Sequence, residues 1–272
     1  PLNAAGVQLI LRLGLAQLLF LGTPAHAAVD TAVDLAKERD FNAHKKLVNA
    51  VLRRAGRDGA ALVAAQDAAR LNLPGWLWAS WCGTYGEDTA RQIAAAHLIE
   101  PPLDLSVKED PAGWAERLEA ELLPTGSLRR LGGGAVQALP GFDEGAWWIQ
   151  DAAAALPVRL LGDLSGRRVA DLCAAPGGKT LQLASGGAQV IAVDRSAKRL
   201  ERVAANLERC HYEVELVAAD AQLWRPDSPL DAVLLDAPCS ATGPLSRQTD
   251  SAWARRPAQE GKLAALLYRK IT

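Results

Sequence analysis

Apolar positions change their spacing along this chain, and the change separates a helical front from a strand-rich back. In the first seventy residues they recur at helical intervals: Val7, Leu9, Leu13, Leu18 and Phe20, then a run from Ala27 to Lys37, then Lys45 to Arg57. Such a repeat buries one face of each helix. The leucines at 9, 13 and 18, with Val7 and Phe20, predict a buried helix reaching to Leu21. Thr23 ahead of Pro24 reads as an N-cap followed by proline at the first helical position. Nothing in this stretch has the two-residue alternation of a strand.

From Leu73 to about Gly145 the texture is mixed. Leu103 to Val107 alternates as a short strand, and Trp114 to Leu123 reads as a helix. Trp76, Trp78, Trp81 and Trp114 read as packing residues rather than platforms for stacked bases. Gly132-Gly133-Gly134 reads as a flexible turn, since no Gly-Lys-Ser/Thr follows to make a phosphate cradle. From Ala146 onward short apolar strands alternate with helices: strand 168–172, helix 179–184, strand 189–193, helix 198–209, then strands 213–217 and 232–235. Repeated β-α-β order predicts a mainly parallel, doubly wound sheet. The chain is therefore read as multidomain: an all-α domain over 1–70, a small α+β connector over 71–145, and an α/β Rossmann-like domain over 146–272.

Composition adds limits. With 272 residues, 49% hydrophobic and 22% charged, the chain can bury a real core and fill two domains or slightly more. A net charge of −1 means that a polyanionic partner must be met by a local patch. One patch runs from Lys37 to Arg57, with Lys37, Arg39, Lys45, Lys46, Arg53, Arg54 and Arg57 against Glu38 and Asp40; a solvated helix face would give the same run. The cysteines at 82, 173, 210 and 239 have neither zinc spacing nor a disulfide ladder, which suits a reducing cytoplasm and no metal site. Leu13 to Gly22, followed by Ala25-His26-Ala27, imitates a signal peptide. Arg12 and Gln17 interrupt the run, no basic segment precedes it, and it is too short to span a membrane. A chain that opens at Pro1 and holds no methionine reads as trimmed.

In an open α/β sheet the ligand sits beyond the carboxyl ends of the strands. After the first parallel strand comes Asp171-Leu-Cys-Ala-Ala-Pro-Gly-Gly-Lys-Thr180, whose Gly177 and Gly178 let backbone approach a ligand closely. Asp194 ends the second strand, where a carboxylate can accept from two ribose hydroxyls, and Asp220 follows the third, placed for an adenine amino group. Neither G-x-G-x-x-G nor a Walker motif is present, which favours a nucleoside cofactor without phosphates. Helix capping is the bland alternative for each acid. The fourth strand ends in Asp236-Ala-Pro-Cys-Ser-Ala-Thr-Gly243. A thiolate there could attack C6 of a pyrimidine and make C5 nucleophilic toward a sulfonium methyl group, on a base drawn out of its stack. Asp236 could hydrogen-bond the cytosine amino edge. An inert buried thiol is the alternative for Cys239.

Together the two motifs resemble the signature of bacterial 16S ribosomal-RNA cytosine-5 methyltransferases, the small-subunit methyltransferase B group. The likeness extends to Trp147-Trp148-Ile149-Gln150-Asp151-Ala152. It also reaches Pro24 to Asp30 and Leu47 to Arg54, which are similar to a NusB-like N-terminal domain. The resemblance implies an S-adenosyl-L-methionine site, with S-adenosyl-L-homocysteine as product, at Cys173, Ala174, Ala175, Pro176, Gly177, Gly178 and Lys179, completed by Asp194, Asp220 and Asp236. It implies catalytic roles for Cys239, Asp236 and Lys179, and RNA contacts through Lys45, Lys46, Arg53 and Arg54. The implied partner is 16S ribosomal RNA, with no membrane and no obligatory protein partner. In the family a later Thr-Cys motif, beyond Thr272, carries the attacking cysteine, so the resemblance gives Cys239 product release, where chemistry alone would make it the nucleophile. A catalytically silent RNA-binding or assembly protein stays open, as does an amino-nitrogen methyltransferase; the latter usually carries Asp/Asn-Pro-Pro-Tyr/Phe where this chain has Asp-Ala-Pro-Cys.

Overall fold

The computed structural model describes residues 5–237 and 243–254. The chain divides into two compact units, Pro1–Leu73 and Pro74–Thr272.

In the front unit, α1 (Ala5–Leu19), α2 (Ala25–Glu38) and α3 (Lys45–Ala64) pack together, followed by one turn, α4 (Ala68–Leu71). Their core is Val7, Ile10, Val29, Ala32, Ala36, Val48 and Leu52. Here α1 departs from expectation. Val7 is buried and Leu18 packs against the core as expected, but Leu9 and Leu13 are each 58% exposed and Phe20, just past the helix, 69%. The inward face carries Val7, Ile10 and Gly14. A Cβ on Gly14 would stand 2.6 Å from Leu52 Cδ1, so the absent side chain is what lets α3 close on α1. The N-cap expected at Thr23 is also corrected. Pro24 occupies that position, extended at ψ 132 and without a side-chain cap bond, so Thr23 stands one residue too early.

The second unit opens with α5 (Gly75–Tyr85) and α6 (Glu87–Ala96). β1 (Leu103–Val107) follows, then α7 (Pro111–Arg117), β2 (Ala120–Leu122), β3 (Leu128–Arg130) and β4 (Trp147–Ile149). These strands form an antiparallel sheet in the order β2-β3-β1-β4. The helix expected over 114–123 is thus wrong in its second half. Asp110 caps α7 by accepting from the Gly113 N–H at 3.0 Å, and Glu119 at φ 51 turns the chain into β2. Of the four tryptophans expected to pack, Trp81 is buried and Trp76, Trp78 and Trp114 are half-buried. Gly132 and Gly134 both take positive φ, as a turn of glycines permits.

A second sheet follows after α8 (Ala152–Leu160): β5 (Arg168–Leu172), α9 (Gly178–Ser185), β6 (Gln189–Asp194), α10 (Ala197–Arg209), β7 (Glu215–Ala218) and β8 (Ala232–Leu235), with α11 (Ser251–Ala254) beyond. The strands are parallel in the order β7-β6-β5-β8. Strand order reverses between β5 and β8, which places a ligand crevice beyond their carboxyl ends. Val169, Leu183, Val190 and Leu234 pack one part of the core, and Leu181, Leu200, Val203 and Leu207 another.

Candidate active site

A cavity of about 890 Å³ lies at that reversal. One wall is the turn after β5. Cys173 adopts φ 67, Gly177 adopts φ 105 as the N-cap of α9, and Gly178 opens the helix. The turn is braced from α10: Arg199 donates to the Ala175 carbonyl, and Asn206 Nδ2 donates to the Pro176 carbonyl at 3.1 Å. A Cβ on Gly177 would meet Val203 Cγ1 at 3.1 Å, so turn and helix meet backbone to side chain with no room between.

Asp171, at the end of β5, is buried and lines the cavity. Its Oδ2 accepts the Thr180 hydroxyl at 2.6 Å, while Oδ1 is buried without a partner. Burial pushes its pKa up to about 6, against the opposing pull of the Thr180 hydrogen bond and the nearby Lys179 charge. Lys179 Nζ donates to Asp236 Oδ2 at 2.7 Å, joining the start of α9 to the end of β8.

The sequence-predicted residues divide. Cys173, Ala174, Ala175, Pro176, Gly178, Lys179 and Asp236 all line this cavity. Gly177 shapes the turn from behind. Asp194 and Asp220, at the ends of β6 and β7, are not among the lining residues. Asp194 is spent on its surroundings: Oδ1 accepts from the Ser196 N–H at 2.9 Å, Oδ2 accepts from the Ala175 N–H at 3.3 Å, and Arg199 pairs with it at 3.2 Å. Asp220 Oδ1 accepts from the Gln222 N–H at 3.0 Å. Cys239 lies outside the described residues.

Lys45, Lys46, Arg53 and Arg54 belong to α3 in the front unit. Lys46 and Arg53 share its outer face, opposite buried Val48 and Leu52. Arg53 donates to Asn49 Oδ1 at 2.9 Å, Arg54 pairs with Asp58 at 3.7 Å, and Lys45 is half-buried.

Sequence reasoning gave no site role to Trp148, Gln150 and Asp151 on the β4 side, nor to Arg202, Asn206 and Arg209 on α10. The first three stood inside a recognised stretch. The α10 residues, spaced at three and four, form the polar face of an amphipathic helix, a pattern that carries no signal of a site. Among the described residues no group of three or more His, Cys, Asp or Glu could hold a metal. No described helix is long and apolar enough to cross a membrane.

Residues 159–270 match the family model described as 16S rRNA methyltransferase RsmB/F, and residues 3–57 match the NusB family. The chain is 38% identical over 281 residues to ribosomal RNA small subunit methyltransferase B of Pseudomonas putida, covering 96% of this chain and 64% of that protein. It is 40% identical over 283 residues to the protein of the same name from Pseudomonas syringae pv. tomato, covering 96% and 62%. The chain thus spans a little under two thirds of the length of these relatives. Its fold is similar to the crystal structure of PH0851, with a TM-score of 0.79, 21% identity, and 97% of this chain and 65% of that one covered. It is also similar in fold to NSun6 from Pyrococcus horikoshii with SFG, with a TM-score of 0.64, 18% identity, and 73% and 78% covered.

Proposed function

We propose, for a chain that belongs to the RsmB/F methyltransferase family and carries a NusB-family segment at its front, that it is part of a cytoplasmic enzyme methylating C5 of a cytosine in 16S ribosomal RNA. The methyl donor is S-adenosyl-L-methionine. The observation that carries the reading is the meeting of the glycine turn, Asp171 and the Lys179–Asp236 pair around one cavity at the strand-order reversal. The donor fits what is there: its size suits the volume, and a buried carboxylate oxygen without a partner suits a ligand with amino and sulfonium charges. Cys173 to Lys179 would hold it. Asp194 holds Ser196, Ala175 and Arg199 on its two oxygens, whereas Asp220 accepts one bond on Oδ1 and keeps acceptor capacity for a ligand. When bound, the donor supplies an electrophilic methyl group.

The rest falls to the protein. A thiolate adds to C6 of the cytosine, the C5–C6 π pair moves to C5, and C5 takes the methyl group as the methyl–sulfur bond breaks and S-adenosyl-L-homocysteine is left. A base takes the C5 proton, the freed pair re-forms the C5–C6 double bond, and the C6–sulfur bond breaks to release the thiolate. Asp236 holds the cytosine amino edge, with Lys179 holding its carboxylate in place. The attacking thiol belongs to the Thr-Cys motif that the family carries beyond Thr272, and Cys239 assists product release. Lys45, Lys46, Arg53 and Arg54 contact RNA phosphates. The division at about 70 and 145 into front domain, connector and catalytic domain is part of the same reading.

The test uses the full-length protein, small-subunit ribosomal RNA and a donor labelled in its methyl group. Label should appear at C5 of one cytosine, and Cys239→Ala should accumulate a covalent RNA adduct. Loss of activity without an adduct makes Cys239 the attacker; label on an exocyclic nitrogen removes the C5 chemistry altogether.

A further inference from the structure

The recognised stretch Trp147 to Ala152 has no task in the chemistry above, yet Gln150 lines the cavity and is buried. Its side chain is fully engaged. Oε1 accepts from the Ser106 hydroxyl at 2.8 Å and from the Trp148 indole N–H at 2.9 Å. Nε2 donates to Gln182 Oε1 at 2.9 Å and to the Ala154 carbonyl at 3.5 Å. Two acceptor sites and two donors are all an amide has, so Gln150 has nothing left to offer a ligand.

The connection continues. Gln182 Nε2 donates to the Ala155 carbonyl at 3.0 Å. Gln182 stands one helical turn after Gly178 on α9, and Gly178 itself lies against Gln150: a Cβ there would be 3.6 Å from Gln150 Cγ. One amide therefore joins β1 through Ser106, β4 through Trp148, and the second turn of α9 through Gln182, while its stem lies against Gly178. The first turn carries Gly178 and Lys179. Buried networks of this kind hold as a unit, because a lost partner leaves a desolvated polar group behind.

We propose that Gln150 is a positioning residue which, with Gln182, fixes the start of α9 against the antiparallel sheet and so sets the shape of the glycine turn. The functional half rests on reading the cavity as the methyl-donor pocket; the mechanical half does not. In full-length protein, Gln150→Leu and Gln182→Leu should each speed amide exchange over residues 173–185 about tenfold, with 197–209 still protected. The double variant should be no faster than either single one, since both cut the same connection. Gln150→Glu keeps the acceptor for Ser106 and Trp148 but has no donor for Gln182 or the Ala154 carbonyl, so it should loosen 173–185 as well, showing that the donating half of the amide is needed. The KM for S-adenosylmethionine should rise about tenfold in the leucine variants, with the KM for RNA unchanged. Faster local exchange with an unchanged donor KM supports the brace and counts against the pocket assignment. Wild-type exchange over 173–185 in both leucine variants, or loosening that reaches 197–209 equally, overturns the proposal.

Discussion

Lys179 Nζ sits 2.7 Å from Asp236 Oδ2, bridging the two strand ends between which the parallel sheet reverses its order. The lysine side chain is 15% exposed and the aspartate 57%, so the pair presents its acid outward and keeps its base within. Replacing Lys179 by methionine leaves that carboxylate without its counter-charge. Turnover in the full-length enzyme is expected to fall about 100-fold, with little change in the KM for RNA. Asp236→Asn should cost a similar factor and the double variant little more, because the two residues act as one unit. Single-turnover methyl transfer reads all three.

Asp171 gives a prediction with a definite sign. Its folded-state pKa is raised from 3.8 to about 6 by burial, so folding favours the protonated acid. The associated stability is complete below about pH 4 and is lost as pH rises through 6. A rise of that size is worth about 3 kcal/mol. Asp171→Asn can keep a hydrogen bond with Thr180 and removes the titration. It should melt like the wild type at pH 4 and higher than the wild type at pH 8. Burial lowers the His97 pKa, which works in the opposite direction over part of this range, so the difference between variant and wild type is the quantity to follow.

Gly145 tests the junction between the connector sheet and α10. At φ 61, an added Cβ would lie 1.9 Å from the Arg209 carbonyl oxygen and 2.7 Å from Cys210 Cα. Both are backbone atoms and neither can swing aside. Gly145→Ala should cost more than about 3 kcal/mol. Gly162→Ala, at φ 77 with open space around it, should cost only about 1 to 2 kcal/mol. Urea midpoints of the two variants separate collision from backbone strain.

Lys46 and Arg53 lie on the outer face of α3. If each meets one phosphate of a single-stranded segment, exchanging both for glutamine should reduce the slope of log affinity against log salt by about 1.4. Affinity should weaken for every RNA sequence alike. Filter binding across a salt series measures this; an unchanged slope makes α3 an ordinary solvated face.

The parallel sheet was legible because its strands are short apolar runs bounded by polar turns. The runs expected at 168–172 and 232–235 match β5 and β8 residue for residue. β7 begins at Glu215 where 213 was expected, because α10 runs on to Arg209 and His211, at φ 55, takes up the reversal before pairing can start. α1 was legible only in part: Val7 and Leu18 pack inward while Leu9 and Leu13 face out, because periodicity in a helix that is apolar most of the way round does not say which positions are used, and close approach at Gly14 turns that side inward. β2 was hidden inside an apparent helix, since a single left-handed residue, Glu119, ended it. At the cavity, the acids and glycines announced themselves by spacing along the chain. Gln150 stood in a recognised stretch whose task the sequence did not state, while Arg202 and Arg209 sit on the polar face of an amphipathic helix, which looks the same in sequence whether it faces a cavity or solvent.

β4 pairs with β1 by the register Leu105↔Ile149, Ser106↔Trp148 and Val107↔Trp147, and the Trp147 indole N–H donates to the Pro140 carbonyl. Anyone dissecting the protein for expression should therefore avoid starting at residue 146. A recombinant fragment begun there would expose a tryptophan-rich edge with no neighbour and invite precipitation. One begun at Pro74 would retain the mate of every strand named above.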